Sequence, residues 1–461
     1  MRFASTLTAL AVGLAAAGTA RADDFDAGQI PHPVILLPHG PATQAIMLLS
    51  SEAGWSDADA ATAEHLRAAG AAVVGIDLPT YLAALDDSHQ DCVYLVADFE
   101  RLSHALERAT GAASFHAPIV AGAGEGGALA IDILAQTPAD TLGGAIAVDP
   151  AAGQTLKTDL CTKASRNAAD GGGSFYSLPA GAQPAPLTVV LSGQAPAAST
   201  ARADALAAAG VSFERKQVSG GTADVLGSTL RAAVPPATDT GDAPAIVELP
   251  ATPAHDTLAI MISGDGGWRD IDKQIAGVLQ SSGVPTVGLD ALRWFWTMRT
   301  PQETADEIAR LVDTYTAKWG VSKVILTGYS FGADVLPETY LALPPEIASR
   351  VVQVSLLAPS QQADWQITVS GWLGSASSKA RPTGPALARM PPAVIQCIQG
   401  QEEDDSACPA LAPSGVERIV TKGGHHFDGD YKALAAKILA GLAAREAAAP
   451  AGAASAATSN P

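Results

Sequence analysis

Short apolar runs alternate along the chain with longer segments in which apolar residues recur every three or four positions. In the second half, the runs Thr257–Ile262, Pro285–Leu289 and Val321–Thr327 are separated by the amphipathic segments Asp270–Ser281 and Pro301–Lys318. Such runs predict strands buried on both faces of a sheet, and the amphipathic period predicts helices. Further predicted strands are Val351–Leu357, Ala393–Ile398 and Val416–Val420, and a further helix is Tyr431–Ala444. The alternation predicts an α/β fold, with a mostly parallel sheet and helices on both of its faces.

The first half of the chain resembles the second. Ser50–Asp57 matches Ser263–Asp270, and Gly70–Asp77 matches Gly283–Asp290 in the same register. Since the helix–strand alternation within each copy is already a complete α/β pattern, the repeat predicts duplication of a whole domain.

The N-terminus has the features of a secretory signal. Arg2 precedes the apolar segment Leu7–Ala17, and Ala20-Arg21-Ala22 has the small residues of a cleavage site. We therefore expect residues 1–22 to be removed and the protein to be periplasmic. No later apolar run approaches the roughly 18–20 residues that span a bilayer, so no transmembrane anchor is expected after processing.

Changes in composition mark the other boundaries. The Pro- and Thr-rich stretch that follows Val234 is typical of a linker, and the Ala-, Pro- and Ser-rich end of the chain is typical of disorder. The predicted organisation is a first domain at 23–235, a linker at 236–250, a second domain at 251–446 and a disordered tail at 447–461.

A serine motif stands at the end of a predicted strand in the second copy. Gly328-Tyr329-Ser330-Phe331-Gly332 follows the run Val321–Thr327, where a strand would turn sharply into a helix. The acidic cluster Glu402–Asp405 and the segment Gly424–Phe427 follow later in the chain. Serine, acid and histidine in this order are the chain order of an α/β-hydrolase triad. The fold class expected is therefore two tandem α/β-hydrolase-like domains.

The motif identifies the nucleophile of the triad directly, but it leaves alternatives for the base and the acid. Ser330 is the expected nucleophile, and His425 is preferred to His426 as the base because it stands two residues before a phenylalanine in a glycine-rich loop. For the acid we favour Asp405, with Asp404 and Glu403 as alternatives, since spacing alone does not distinguish neighbouring carboxylates.

An oxyanion hole requires two backbone N–H groups, one of them from the residue after the nucleophile. Phe331 is that residue. The loop after the first strand of this copy supplies the second donor, from Asp265 or Gly266.

The first copy lacks all three functional groups. Gly124 stands where the serine should be, the loop Ser192–Pro196 has no acid, and Val218–Ala223 replaces the histidines. We therefore interpret the first copy as a catalytically degenerate duplicate, kept for stability, partner binding or shaping the substrate entrance.

An aromatic segment follows the second strand of the second copy. It contains Arg293, Trp294, Trp296 and Arg299, and Trp268 lies earlier in the same domain. The functional interpretation is an apolar wall with arginines at its rim that binds a lipid phosphate. Core packing is the alternative, because large aromatic side chains are often buried.

Charge and cysteine content narrow the function classes. The net charge of −19 excludes general attraction to nucleic acid or to anionic lipid surfaces, and is compatible with a cationic substrate. The four cysteines of an exported protein predict two disulfides, Cys92–Cys161 and Cys397–Cys408, the second of which would brace the acidic loop. No metal or other cofactor is expected, because no two cysteines have the spacing of a zinc site.

These motifs together resemble the AcvB/VirJ virulence-protein family. The resemblance rests on the duplicated length, Ser263-Gly264-Asp265-Gly266-Gly267-Trp268, Leu292–Trp296, the serine motif and Gly423-Gly424-His425-His426-Phe427. It implies a periplasmic serine hydrolase that acts on aminoacylated phosphatidylglycerol, chiefly the lysyl form, with a link to type IV secretion. The alternatives are a non-enzymatic periplasmic adaptor of the secretion system and a generic esterase.

Overall fold

A computed structural model describes residues 25–235, 246–368, 377–411 and 415–448. The predicted signal at 1–22 and most of the predicted linker lie outside these ranges. So does the predicted tail apart from Ala447 and Ala448, which end the last helix rather than being disordered. Within the described ranges, no helix combines the length and apolar character that crossing a bilayer requires.

The first domain is built around a seven-stranded sheet with the order β1-β3-β2-β5-β6-β10-β11. Only β1 runs antiparallel to its neighbour among these strands. The strands of this domain are β1 Val34–Leu36, β2 Gln44–Leu49, β3 Ala71–Ile76, β4 Cys92–Val93, β5 Ile119–Ala123, β6 Gly144–Pro150, β7 Asp159–Leu160, β8 Arg166–Ala168, β9 Ser174–Tyr176, β10 Leu187–Ser192 and β11 Glu214–Val218. Its α-helices are α1 Asp57–Ala68, α2 Leu78–Asp87, α3 Leu95–Ala109, α4 Gly124–Asp132, α5 Ala197–Ala208 and α6 Thr222–Ala233.

The second domain repeats this sheet with the order β12-β14-β13-β15-β16-β19-β20. Its strands are β12 Ile246–Leu249, β13 Thr257–Ile262, β14 Thr286–Leu289, β15 Lys323–Tyr329, β16 Val351–Leu357, β17 Gln362–Ala363, β18 Arg381–Pro382, β19 Ile395–Gly400 and β20 Glu417–Thr421. Its α-helices are α7 Asp270–Ser281, α8 Ala291–Trp294, α9 Pro301–Trp319, α10 Phe331–Ala342, α11 Pro345–Ala348, α12 Gly384–Leu387 and α13 Tyr431–Ala448. Two tandem α/β-hydrolase folds, as the sequence predicted, are therefore present.

Helix α9 shows why the sequence specified its elements well. Thr300 caps the helix by accepting a hydrogen bond from the Glu303 backbone N–H, and the Glu303 carboxylate bonds back to Thr300. Pro301 occupies the first turn, and Gly320 ends the helix with a φ of 67°. Capping boxes and left-handed terminal glycines are local signals that stop a helix at a defined residue.

The predicted linker ends earlier than expected. Strand β12 lies inside the range 236–250 and pairs antiparallel with β14, as β1 does with β3 in the first domain. Its apolar residues Ile246, Val247 and Leu249 are only half-buried. An edge strand buries less apolar surface than a central one, so its composition gives a weaker signal.

Both predicted disulfides are confirmed. Cys92 joins Cys161, and Cys397 joins Cys408. The second disulfide runs from β19 across the loop that carries the acidic cluster, so it fixes the base of that loop.

Candidate active site

Strand β15 and helix α10 meet at Ser330 in a turn that requires glycines on both sides. Ser330 has a φ of 51° and a ψ of −120°, a conformation that L-residues rarely adopt. A Cβ on Gly328 would lie 2.4 Å from the Gly332 backbone, and a Cβ on Gly332 would lie 2.3 Å from the carbonyl oxygen of Ile262. The two glycines are thus required for the close approach of the backbones, and the strain is concentrated at the serine.

The structure brings Ser330 and His425 together. Nε2 of His425 lies 2.8 Å from the Ser330 Oγ, and Nδ1 lies 2.9 Å from Oε1 of Glu403. With the imidazole proton on Nδ1, the ring donates to the carboxylate and leaves Nε2 free to accept the serine proton. Serine, histidine and glutamate therefore have the geometry of a nucleophile, its base and an orienting acid.

The preference for Asp405 as the acid was wrong. Asp404 and Asp405 are exposed, whereas the Glu403 side chain is 8% exposed and faces His425. The chain turns back directly after β19, and the N–H of Gly400 donates to Oε2 of Glu403 at 2.8 Å. This bond aims the other carboxylate oxygen at the imidazole, so the alternative Glu403 occupies the acid position.

Glu403 also sets the protonation of the base. Its hydrogen bond to His425 raises the pKa of the imidazole, with burial acting in the opposite direction. His426, the alternative base, points elsewhere: its Nδ1 lies 2.8 Å from the Tyr329 hydroxyl. Tyr329 thereby holds His426 in a structural position beside the loop.

The residues expected to form an oxyanion hole lie next to the serine. A Cβ placed on Gly264 would be 3.8 Å from the Ser330 Cβ, and Asp265, Gly266 and Phe331 line the same cleft. Phe331 is the first residue of α10, so its N–H has no partner within the helix. Burial raises the pKa of the Asp265 carboxyl, while the nearby His425 lowers it by less.

One buried carboxylate of the site, Asp334, was not predicted from the sequence. Its two oxygens accept hydrogen bonds from the backbone N–H of Ser360 at 2.6 Å and from the Ser360 hydroxyl at 2.9 Å. Burial raises the pKa of Asp334 to about 7. Because Asp334 stands four residues after the nucleophile in the first turn of α10, its position relative to the serine motif was the available signal.

Ser330 and His425 open into a cleft of about 1110 Å³. Nine carboxylates line it among the described residues, against a single arginine, Arg269, and no lysine. The carboxylates are those of Asp265, Asp270, Asp272, Asp334, Asp364, Glu402, Glu403, Asp404 and Asp405. Apolar side chains, including those of Ile271, Phe331 and Ile367, also line the cleft.

The predicted aromatic wall was wrong. Trp268, Trp294 and Trp296 are 5%, 6% and 1% exposed, and neither they nor the two arginines are among the described residues that line the cleft. Trp268 packs under Gly288, Arg299 stacks on Trp294, and Arg293 lies beside Asp290. The alternative of core packing applies, since these rings fill the protein interior.

The first domain keeps the turn but not the chemistry. Gly124 has a φ of 56°, close to that of Ser330, and a Cβ on Gly122 would clash with Gly126. The N–H of Glu125, which corresponds to that of Phe331, donates to Oε2 of Glu52 at 3.2 Å. Glu52 is the counterpart of Asp265, so in this domain a carboxylate of the chain itself occupies the place of an oxyanion.

The fold is that of an α/β-hydrolase, and the site has the geometry of a serine hydrolase. Residues 256–446 match the family model described as "Bacterial virulence protein (VirJ)". The resemblance predicted from the sequence is thereby confirmed over the second domain. The first domain lies outside this match.

Several solved structures are similar to part of this chain. Est1E from Butyrivibrio proteoclasticus, solved with ferulic acid, is 11% identical over 46% of this chain and 98% of its own, with a TM-score of 0.32. XC6422 from Xanthomonas campestris, described as an α/β serine hydrolase without lid, is 15% identical over 46% of this chain and 97% of its own, with a TM-score of 0.28. Mouse α/β hydrolase domain-containing protein 10 is 14% identical over 45% of this chain and 97% of its own, with a TM-score of 0.31. No curated protein matches the chain in sequence.

Proposed function

We propose that this protein is a periplasmic serine hydrolase that cleaves the aminoacyl ester of lysyl-phosphatidylglycerol or a related aminoacyl-phosphatidylglycerol. In this reaction the Ser330 hydroxyl attacks the ester carbonyl while His425 accepts its proton. The protonated His425 then donates to the glycerol oxygen as the ester bond breaks, so phosphatidylglycerol leaves and an aminoacyl-enzyme remains. Water then attacks the acyl-enzyme, again with His425 as base, and releases the amino acid. Phe331 and the Asp265–Gly266 loop provide the backbone donors for the oxyanion.

The observation that carries the proposal is the hydrogen-bonded serine, histidine and glutamate at the base of an acidic cleft. An aminoacyl ester carries an ammonium group beside its carbonyl, and a lysyl ester carries a second one at the end of its side chain. The exposed carboxylates Asp270, Glu402, Asp404 and Asp405 are suited to attract both groups. The apolar residues Ile271 and Ile367 offer surface for the glycerol and the first acyl carbons.

A generic esterase remains the second candidate, since the cleft is wide enough for many acyl groups. The non-enzymatic adaptor is less well supported, because an adaptor has no need for a strained serine in hydrogen-bond contact with a histidine. Partnership with a secretion system is a proposal that concerns surfaces outside this cleft.

The test is incubation of the purified protein with vesicles of lysyl-phosphatidylglycerol, followed by lipid chromatography, with Ser330→Ala as the matched control. We expect phosphatidylglycerol and free lysine from the wild type only. Cleavage of p-nitrophenyl acetate without cleavage of the lipid would indicate a generic esterase. Failure on both substrates, with no labelling of Ser330 by a fluorophosphonate, would favour the adaptor.

A further inference from the structure

One face of helix α3 in the degenerate domain packs against the hydrolase domain. Glu100, His104 and Arg108 are spaced four residues apart along α3, so their side chains form one stripe. All three contact the second domain: Glu100 meets Arg269, His104 packs edge-on against Trp296, and Arg108 lies over the Trp296 ring. We call Glu100, His104 and Arg108 the α3 stripe.

Arg108 joins two separate segments of the hydrolase domain. Its guanidinium carbon lies 3.9 Å from the centre of the Trp296 ring, and Nη1 donates to the carbonyl oxygen of Trp296 at 3.0 Å. Nη2 donates to the carbonyl oxygen of Ile367. Ile367 lines the cleft, so a side chain of the degenerate domain directly holds part of the cleft wall.

The held segment is connected to the nucleophile turn. The N–H of Ile367 donates to the carbonyl oxygen of Phe295 at 2.9 Å, and the Phe295 ring packs edge-on against Phe331 with centroids 4.9 Å apart. On the other side, Trp296 donates through its indole N–H to the carbonyl oxygen of Ala112 in the degenerate domain at 2.8 Å. The aromatic segment is therefore the joint between the two domains.

Glu100 acts at a second point of the cleft. It forms an ion pair with Arg269, the one arginine among the described residues of the lining, and its Oε2 lies 3.4 Å from Nη1 of that arginine. Both side chains are largely buried, at 10% and 25% exposed. The pair offsets the positive charge of Arg269 where a cationic substrate would enter.

We propose that the degenerate domain positions the catalytic cleft of its partner domain through the α3 stripe. Arg108 fixes the cleft wall at Ile367, and Glu100 holds and neutralises Arg269. Arg108 and Glu100 are positioning residues that act on substrate fit rather than on the bond-breaking step. This inference rests on the hydrolase function proposed above.

The first arm of the test is Arg108→Met, which keeps the aliphatic stem but removes the donors. We expect KM for a long-chain p-nitrophenyl ester to rise roughly tenfold, since two hydrogen bonds to the wall are lost, while kcat for p-nitrophenyl acetate stays within about twofold. Lys273→Met is the matched control, because Lys273 pairs with Asp140 across the same domain interface but does not line the cleft. Arg108→Lys should recover part of the long-chain affinity.

The second arm is Glu100→Gln, which removes the carboxylate of the degenerate domain that pairs with Arg269. We expect kcat/KM for a lysine ester to fall several-fold and that for an ester with a terminal carboxylate to rise, with a neutral ester unchanged. A merely structural role would lower all three together, or would change the melting temperature alone.

Titration of Ser330 with a fluorophosphonate separates the possible failures. If the wild type is neither labelled nor active on esters, the hydrolase function itself is wrong. If the wild type is active and Arg108→Met matches Lys273→Met on both ester lengths, the positioning role is wrong. If Arg108→Met unfolds and so lowers the labelled fraction, Arg108→Lys replaces it in the comparison. The positioning role is then wrong if Arg108→Lys matches Lys273→Met in KM for the long-chain ester and in kcat for p-nitrophenyl acetate.

Discussion

The two domains place the same sharp turn at the same point of the same sheet, yet they fill the space around it differently. In the second domain, Ser330 faces His425 and the cleft. In the first, Gly124 presents no side chain, and the carboxylate of Glu52 accepts the N–H that would serve an oxyanion. The turn is thus a structural element that persists without its chemistry, held by the glycines that its backbone contacts require.

The loops that carry the acid and the histidine show the same exchange. In the second domain Glu403 bonds to His425 and so links the loop after β19 with the loop after β20. In the first domain Asp149 accepts hydrogen bonds from the Ser192 N–H at 2.8 Å and from the Thr222 hydroxyl at 2.7 Å, which links the corresponding loops. The degenerate copy therefore replaces a catalytic bridge with a purely structural one.

The strongest test of this comparison changes the central residue of each turn. Ser330→Ala should lower hydrolysis by about 10⁴–10⁶-fold, because the covalent nucleophile is lost from an otherwise unchanged site. Gly124→Ser should gain no activity, since the Glu52 carboxylate lies against position 124 and the segment Val218–Ala223 has no histidine. Ester hydrolysis and fluorophosphonate labelling of each variant measure both effects. Labelling at position 124, or wild-type rates in Ser330→Ala, would overturn the assignment of the two domains.

The next largest effect is expected from the acid. Glu403→Gln should lower kcat by about 10²–10⁴-fold, because the amide no longer favours the imidazole tautomer that accepts the serine proton. Asp405→Asn, two residues away on the exposed part of the same loop, is the matched control and should change kcat for p-nitrophenyl acetate, which carries no ammonium group, less than about threefold. A larger loss in Asp405→Asn than in Glu403→Gln would restore the original choice of acid.

Sequence reasoning succeeded where the signal is local and failed where it depends on packing. The glycines around Ser330 and the start of the helix at Pro301 depend on neighbouring residues, so they could be predicted from the chain. The repeat could be predicted by comparing the two halves of the sequence. The choice between Glu403 and Asp405 depends on a turn in which the Gly400 N–H donates to Glu403. The sequence does not show this turn, so it does not distinguish the neighbouring carboxylates. The burial of Trp296 against the degenerate domain depends on how two folded domains meet, which no local pattern specifies.

The pH dependence of the second domain sharpens the role of Glu403. His425 must be neutral to accept a proton, and the hydrogen bond that its Nδ1–H donates to Glu403 raises its pKa above the usual 6.5. We therefore expect kcat/KM to fall about tenfold per pH unit below a midpoint that lies above 6.5. In Glu403→Gln the main cause of the raised pKa is gone, so this acid limb should move to lower pH. Profiles from about pH 5 to 9 for both proteins measure the shift, and a limb that stays in place or moves upward would contradict the coupling.

The smallest effect concerns the counterpart carboxylates Glu52 and Asp265. Glu52 lies at the N-terminus of α4 and accepts the Glu125 N–H, so Glu52→Gln should lower stability by about 0.5 kcal/mol, because the amide keeps the acceptor but loses the favourable charge. Hydrolysis should not change.

Asp265 lines the active cleft near His425, so Asp265→Asn should lower kcat/KM for a lysine ester more than for a neutral ester. Thermal unfolding of both variants measures the loss of stability expected for Glu52→Gln. Ester kinetics of both variants measure the loss of kcat/KM expected for Asp265→Asn. A catalytic loss in Glu52→Gln would show that the first domain still takes part in the chemistry.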